Sequence, residues 1–311
     1  MEFLKKKPKI VVVGSTNVDL VVKLKRLPQP GETVTEGKFF KAFGGKGANQ
    51  AVTVAKLGGE VVFITRVGKD PFGSACLENL KEHGVDISFI TQDEEESTGV
   101  ALILVGGNGE NMIGVAPGAN HKLLPEEVEK ARSVIREADA VLLQLEIPLE
   151  TVERVVEIAY SEGVPVILNP APFREIKDEM LKKVTFLTPN EKEASSLTGI
   201  ENLGEVERMG EVLLEKGIKN VIITLGEKGA MLVNERGKRR FPTLKVDAVD
   251  TTAAGDVFNG ALAFALGSGK SLEEAIIFAN CAAAISTTRM GAQPSIPDLK
   301  SVLESQENYS W

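Results

Sequence analysis

Cysteine and histidine are almost missing from this chain, and neither occurs at a spacing that chemistry could use. Cys76 and Cys281 are too far apart for a CxxC site and too few for a disulfide framework. They fit two buried thiols in a reducing compartment. His83 and His121 have no partner at zinc-ligand or triad spacing, and no GxSxG occurs, so zinc chemistry and serine hydrolysis drop away. Long apolar runs are also lacking. The longest are broken by Gly, Asn or charge well short of the roughly 20 residues that span a bilayer. Lys5, Lys6 and Lys7 precede an apolar run at 10–13, but Gly14, Ser15, Thr16 and Asn17 end it too early for an export signal. The expectation is a cytoplasmic protein with no membrane role. An excess of positive charge is missing too: 36 Lys and Arg stand against 44 Asp and Glu, a net charge of −8. Such a chain has no field to gather a polyanion, so nucleic acid is not an expected partner.

What is present is ordinary globular material: 311 residues, 43% apolar and 26% charged, enough for one large core or two medium ones. No repeat or low-complexity linker interrupts it, and the tail at 301–311 is polar enough to fray. Continuous β-branched runs at 10–13, 61–64, 141–145, 164–168, 186–187 and 221–225 lack polar alternation, as strands covered on both faces do. Helical spacing at 49–57, 73–83, 125–138, 149–161 and 205–216 lies between them, with Gly84, Gly163 and Gly217 at C-cap positions. That alternation predicts an α/β fold with a doubly wound, mainly parallel sheet, whose ligands bind beyond the carboxyl ends of the strands. Two segments, about 17–43 and 97–116, break the pattern with short alternating runs and the turn signal Gly106-Gly107-Asn108-Gly109. They are read as a small β-sheet lid on a single domain spanning 1–311. Segments 253–266 and 272–287 are Ala-rich and nearly free of charge, hence buried helices.

One of those helices opens with an acid. In Asp250-Thr251-Thr252-Ala253-Ala254-Gly255-Asp256 a strand exit runs through small residues into an apolar helix. Unbonded N–H groups and the positive dipole end make Ala253, Ala254 and Gly255 an anion site. Asp256, in the first turn, is placed to take the proton of an attacking hydroxyl. The alternative is that Asp250 or Thr251 only caps the helix and Asp256 only favours its dipole.

A second glycine cluster, Gly44-Gly45-Lys46-Gly47-Ala48-Asn49-Gln50-Ala51, lets backbone approach a ligand ahead of a helix that carries Asn49. It fits neither the P-loop, where Phe40 occupies the first glycine position, nor the dinucleotide fingerprint, where Gln50 replaces the third. Gly267-Ser268-Gly269-Lys270-Ser271 imitates the end of a P-loop, but Phe264 breaks the pattern and a helix precedes it. Asn17 and Asp19 follow the first strand, as Glu146 and Asn169 follow others; their amides and carboxylates could bind hydroxyls or form local turns. Asn190 and Glu193 lie three apart on an opening helix, suited to metal-bound phosphate or to capping. Thr224-Leu225-Gly226-Glu227-Lys228-Gly229 allows close passage beneath a nucleotide, or a plain tight turn.

Taken in order, 44–51, 190–193, 224–229 and 250–260 resemble the motifs of the ribokinase or PfkB family of carbohydrate kinases over nearly the whole chain. Both hallmark segments, Gly-Gly-x-Gly-x-Asn and Asp-Thr-x-Ala-Gly-Asp, are present. The resemblance implies transfer of the γ-phosphoryl group of Mg·ATP to O5 of ribose, with Asp256 as base and 253–255 as anion hole. It implies that Asn17, Asp19, Gly45, Lys46, Asn49 and Glu146 hold the sugar, and that Asn190, Thr224, Gly226, Gly229, Gly255 and Asn280 line the nucleotide. It implies Mg²⁺ assisted by Glu193 through water, and K⁺ held by Asp250, Ser295 and the backbone of Thr252, Ser286, Arg289 and Gly291. A homodimer joined through the lid is implied as well. The rivals are a related kinase acting on deoxyribose, fructose, 2-keto-3-deoxygluconate or a nucleoside, and a sugar-binding sensor without catalysis.

Overall fold

The computed structural model describes residues 6–307, so Lys5 and the end of the polar tail, 308–311, lie outside the described residues. Thirteen strands are formed among them: β1 (Lys9–Val13), β2 (Asn17–Lys23), β3 (Lys38–Gly44), β4 (Glu60–Gly68), β5 (Ile90–Asp93), β6 (Gly99–Val105), β7 (Asn111–Ala116), β8 (Ala140–Leu143), β9 (Val166–Leu168), β10 (Phe186–Leu187), β11 (Asn220–Thr224), β12 (Ala230–Asn234) and β13 (Gly237–Phe241). Nine of them build one sheet in the order β13-β12-β11-β10-β9-β8-β1-β4-β5. Pairing is parallel from β5 to β11, and β12 is antiparallel to both its neighbours.

Successive side chains of a strand face opposite sides, and here both sides are covered. Val11, Val13, Val141 and Leu143 enter one core with helices Pro125–Lys130, Leu149–Ser161 and Val206–Glu215. Ile10, Val12, Ala140 and Leu142 enter the other, beneath helices Lys46–Lys56, Ala254–Gly267 and Leu272–Ser286. Helix Ala254–Gly267 is buried almost all round. Its Phe264 stacks on Phe278 at 5.9 Å between centroids, and each such fully buried ring contributes about 2–3 kcal/mol of transfer free energy. Gly84, Gly163 and Gly217 end their helices with φ of 78°, 72° and 99°, the left-handed region that glycine enters freely.

The remaining strands form the lid, in the order β3-β2-β6-β7. Its central pair, β2 and β6, is parallel, and both outer pairs are antiparallel. The register sets Asn17 opposite Gly44 on one side and Gly99 on the other, so the glycine motif is tied to the exit of β1.

Three features differ from the sequence reading. The helix expected over 125–138 is two pieces, Pro125–Lys130 and Arg132–Arg136, because Ala131 N bonds to Val128 O, the tighter i−3 pairing. The edge strands β5 (Ile-Thr-Gln-Asp, half-buried) and β13 (Gly-Lys-Arg-Arg-Phe, largely exposed) are mostly polar, and a search for buried apolar runs passes over them. The apolar run at 164–168 is strand only from Val166, and Val164 is the residue that closes the preceding helix by bonding to Ala159 O.

Candidate active site

The carboxyl ends of β1, β8, β9, β10 and β11 bring the polar residues together. At the exit of β1 the chain turns past the first turn of helix Lys46–Lys56 at van der Waals distance. Gly45 has φ 88°, and a Cβ there would lie 2.8 Å from Thr16 Cα and Asn17 N; a Cβ on Gly47 would lie 2.7 Å from the backbone of Gly14 and Ser15. These glycines are required by that approach, which places the backbone of Lys46, Gly47 and Ala48 against Ser15 and Glu146. Ser15 Oγ donates to Glu146 Oε2, and Lys46 N donates to the same oxygen at 3.1 Å. Asp19 lies over Gly44, where a Cβ would come within 2.6 Å of both its carboxylate oxygens.

Asp256 reaches this group from the other side. Its helix begins at Ala253, a non-glycine residue at φ 60°, a conformation that costs roughly 1–3 kcal/mol and persists only where the surroundings enforce it. The Asp256 carboxylate accepts from Asn49 Nδ2 at 2.9 Å and from Gln50 Nε2 at 3.1 Å. Burial pushes its carboxyl up from the ordinary range, and Glu146 adds to this; Lys46 and the two amide donors oppose the rise without cancelling it. Asp19 is likewise pushed up to about 6, by burial first and then by Glu146. Burial pulls the Lys46 ammonium down, but Asp256, Glu146 and Glu193 more than offset this and leave it raised. One cation thus serves several carboxylates in a shared enclosure, and Asp256 combines ionisable character with weak hydration, as a general base requires.

The start of helix Ala254–Gly267 has fewer open N–H groups than the sequence suggests. Ala254 N is already donated to Thr251 O at 3.2 Å. The first-turn N–H groups of Gly255 and Asp256 have no preceding turn to bond to, and the space a Cβ on Gly255 would enter is empty. Beyond Gly255 opens a cavity of about 590 Å³, large enough for a nucleotide. Thr224, Gly226, Gly229 and Asn280 line it together with Ala254, Gly255 and Phe258. Gly229 has φ 86°, and a Cβ there would lie 2.0 Å from Phe241 O. Asn280 supports the wall, its Nδ2 donating to Phe241 O and Pro242 O.

Asn190 and Glu193 do not line that cavity. They form a reciprocal capping box, Glu193 N donating to Asn190 Oδ1 at 2.8 Å and Asn190 N to Glu193 Oε2 at 2.9 Å. The capping alternative is therefore realised. Asn190 still neighbours the cavity wall through its bridge to Thr224, and Glu193 lies close enough to Lys46 and Asp256 to feel both charges, while burial, the largest influence, pushes its carboxyl up. Asp250 joins two members of the third set, Thr252 and Gly291: its Oδ1 accepts from Thr252 N and its Oδ2 from Gly291 N, and its own N–H donates to Thr287 O. Of the other residues expected there, Ser286 O accepts from Arg289 N at 3.3 Å and Ser295 Oγ donates to Ala292 O, not to Asp250. Gly267-Ser268-Gly269-Lys270-Ser271 is a helix end followed by the cap of the next helix, with Ser271 as cap, and it is no phosphate loop.

Residues outside the sequence-derived set complete the site. Asn120 holds the turn between β1 and β2, accepting from Thr16 N and donating to Thr16 O and Asn17 Oδ1. Gln50 links Asp256 to Asn169 and Gln144. Gln50 falls inside the quoted glycine motif, but only its contact with Asp256, 206 residues away, marks it out. Thr16 Oγ1 and Asn49 Oδ1 are buried without a hydrogen-bond partner, and such groups are costly unless a ligand satisfies them.

Comparison with known proteins gives this geometry its context. The pfkB family carbohydrate kinase profile matches residues 7–299. A ribokinase of Haemophilus influenzae is 44% identical over 302 residues, covering 96% of this chain and 98% of its own. The crystal structure of a ribokinase from Thermotoga maritima is 45% identical with a TM-score of 0.89, covering 97% of this chain and 100% of its own. The structure of Arabidopsis thaliana ribokinase complexed with ribose and ATP is 37% identical with a TM-score of 0.91, covering 98% and 100%. With the glycine motif, the anion-site helix and its acid in one enclosure, and near-complete coverage in each comparison, this chain belongs to the pfkB family of carbohydrate kinases.

Proposed function

We propose that the protein transfers the γ-phosphoryl group of ATP to O5 of ribose, giving ribose 5-phosphate and ADP. The observation that carries this reading is the position of Asp256: a buried carboxylate at a helix N-terminus, between the hydroxyl-binding group formed by Asn17, Asp19, Lys46, Asn49 and Glu146 and the 590 Å³ cavity. Sugar hydroxyls donate to the carboxylates of Asp19 and Glu146 and to Asn49 Oδ1, and Gly45 lets the chain that carries Asn17 pack against the helix that carries Asn49. The 5-hydroxyl gives its proton to Asp256 as its oxygen bonds to the γ-phosphorus, and the bond to the β,γ-bridging oxygen breaks with ADP as leaving group. The N–H groups around Gly255 receive the charge that builds on the transferring group, with Ala253 and Ala254 shaping the turn. The work of the protein is positioning and charge neutralisation.

Two cations fit the residues present. Mg²⁺, which neutralises charge on the β- and γ-phosphates when bound, keeps several waters and needs one or two carboxylates. Among the described residues no group of three or more His, Cys, Asp or Glu forms a metal cage, and Glu193 is suited to act through water. The Asp250 set offers one carboxylate with the carbonyls of Thr252, Ser286, Arg289 and Gly291 and the hydroxyl of Ser295. All its donors are oxygens and only one is charged, a composition suited to K⁺, which would brace the loop that leads into 253–255. The chain is read as one α/β domain with a lid. Phe39, Phe40, Leu102, Met112, Ile113 and Val115 of the lid are exposed, apolar surface that supports pairing with a second copy. No described helix is long and apolar enough to cross a membrane, and two free, buried cysteines accord with the cytoplasm.

The test is ADP release with Mg·ATP and KCl across ribose, deoxyribose, fructose, adenosine and 2-keto-3-deoxygluconate. Preference for ribose is expected. Preference for another acceptor would replace the substrate and keep the mechanism, whereas ligand-induced stabilisation by ribose without turnover would make the protein a sensor. Light scattering of the purified protein checks the dimer, and a monomer mass at micromolar concentration would remove it.

A further inference from the structure

We infer that Gln50, oriented by Gln144, is a positioning residue that fixes the Asp256 carboxylate in the geometry from which it accepts the substrate proton. This rests on the reading of Asp256 as the base. Gln50 is fully buried, so it is shielded from ligand and acts through its neighbours. Its Nε2 lies 3.1 Å from Asp256 Oδ1 and 3.3 Å from Asn169 Oδ1, and its Oε1 accepts from Gln144 Nε2 at 2.6 Å. The donation from Gln144 reinforces the facing of the Gln50 amide that the Asp256 carboxylate requires: turned over, Gln50 would point a carbonyl at a carboxylate and set its NH₂ group against that of Gln144. Gln144 is confined by packing, its Oε1 being buried without a hydrogen-bond partner. It is fully buried, and a Cβ on Gly14 would meet its Oε1 at 1.9 Å, so the side chain exists in that rotamer only because residue 14 is glycine.

The other donor to Asp256, Asn49, carries an unpartnered Oδ1 that is free for substrate. The two amides therefore divide the work: Asn49 joins the carboxylate to the sugar side, and Gln50 anchors it to the scaffold through the exits of β8 and β9. The charged groups that face Asp256 are Lys46 on the same helix as Gln50, Glu146 after β8, and Glu193 on helix Glu191–Thr198. Replacing Gln50 leaves all of these in place. Loss of one donor to an ionised carboxylate disfavours the charged form, by about one pH unit for a typical bond.

The experiment measures the single-turnover rate of phosphoryl transfer against pH for wild type, Gln50→Met, Gln144→Met, the double variant and Asp256→Asn. In Gln50→Met the acid limb is expected to move up by about one pH unit, with sugar affinity within about twofold because Gln50 makes no ligand contact. Gln144→Met is expected to shift the limb in the same direction by less, and the double variant to match Gln50→Met, since Gln144 acts only through Gln50. The position of the limb does not depend on the fraction of protein folded, so reduced stability leaves the result readable. An unmoved limb in Gln50→Met beside an inactive Asp256→Asn overturns the inference and leaves the base standing; an active Asp256→Asn removes the base instead. Full additivity in the double variant overturns the role of Gln144.

Discussion

Replacing Asp256 with Asn removes the proton acceptor while nearly preserving shape, and the structure defines what else it changes. Asp256 offers one carboxylate oxygen to Asn49 Nδ2 and the other to Gln50 Nε2, so an Asn side chain must set its own NH₂ against one of them. The mismatch leaves a buried donor unsatisfied, at a cost of about 1–3 kcal/mol. The penalty that burial imposes on the ionised carboxylate disappears in the same substitution and offsets part of that cost. A small net change in unfolding free energy is therefore expected, well within what the fold tolerates. Catalysis is expected to fall by roughly 10²–10⁴, the usual contribution of a positioned base. The loss should appear in kcat, with KM for the sugar changing much less, because Asp19, Asn49 and Glu146 remain. Steady-state ADP release and isothermal titration with ribose separate the two quantities. A kcat within tenfold of wild type, in protein that still binds ribose and ATP, would refute the assignment of Asp256 as base.

Asp19 gives the pH prediction. Its folded pKa is raised from 3.8 to about 6, so the penalty on its ionised form is present above pH 6 and relieved as pH falls through that value. Relative to Asp19→Asn, the unliganded wild type should gain stability on acidification, by at most about 3 kcal/mol before solvent screening reduces it; parallel denaturation curves at pH 5 and pH 7 would rule it out. Gly229→Ala places a Cβ 2.0 Å from Phe241 O at φ 86°, so it should lose more than about 2 kcal/mol and weaken ATP binding. Gly58→Ala, at φ 92° with open space around it, should lose only about 1 kcal/mol; equal midpoints for the two would refute the clash argument. The Asp250 oxygen set predicts faster turnover in KCl than in NaCl, and equal rates would remove the K⁺ site.

Legibility in the sequence followed physical character. Strands β1, β4, β8, β9 and β11 are covered on both faces and therefore announce themselves as uninterrupted apolar runs, and helix Leu149–Ser161 has the bounds its periodicity predicts. Edge strands β5 and β13 carry polar side chains because one side meets solvent, and nothing local separates them from loops. The site divides in the same way. Gly45, Asn49 and Asp256 lie in motifs whose small residues and strand-exit positions are visible along the chain. Asn120 and Gln144 do their work across 104 and 94 residues of sequence, to Thr16 and Gln50, and a single buried amide has no local signature. Asn190 and Glu193 are legible as a pair, and the same spacing serves the capping box that the structure forms.

The buried amides and the raised carboxylates belong to one design constraint. A base for a sugar hydroxyl must be poorly hydrated to be basic, yet a poorly hydrated carboxylate tends to take up a proton and lose that role. Lys46, Asn49 and Gln50 each favour the ionised form of Asp256, and the direction of its shift shows that they do not fully succeed. Thr16 Oγ1 and Asn49 Oδ1 are buried without a hydrogen-bond partner. On the proposed reading a bound polyol satisfies these two groups, and its hydroxyls hydrogen-bond to the carboxylates of Asp19 and Glu146. That proposal makes binding energy from hydroxyls that do not react the means of holding Asp256 in its ionised form.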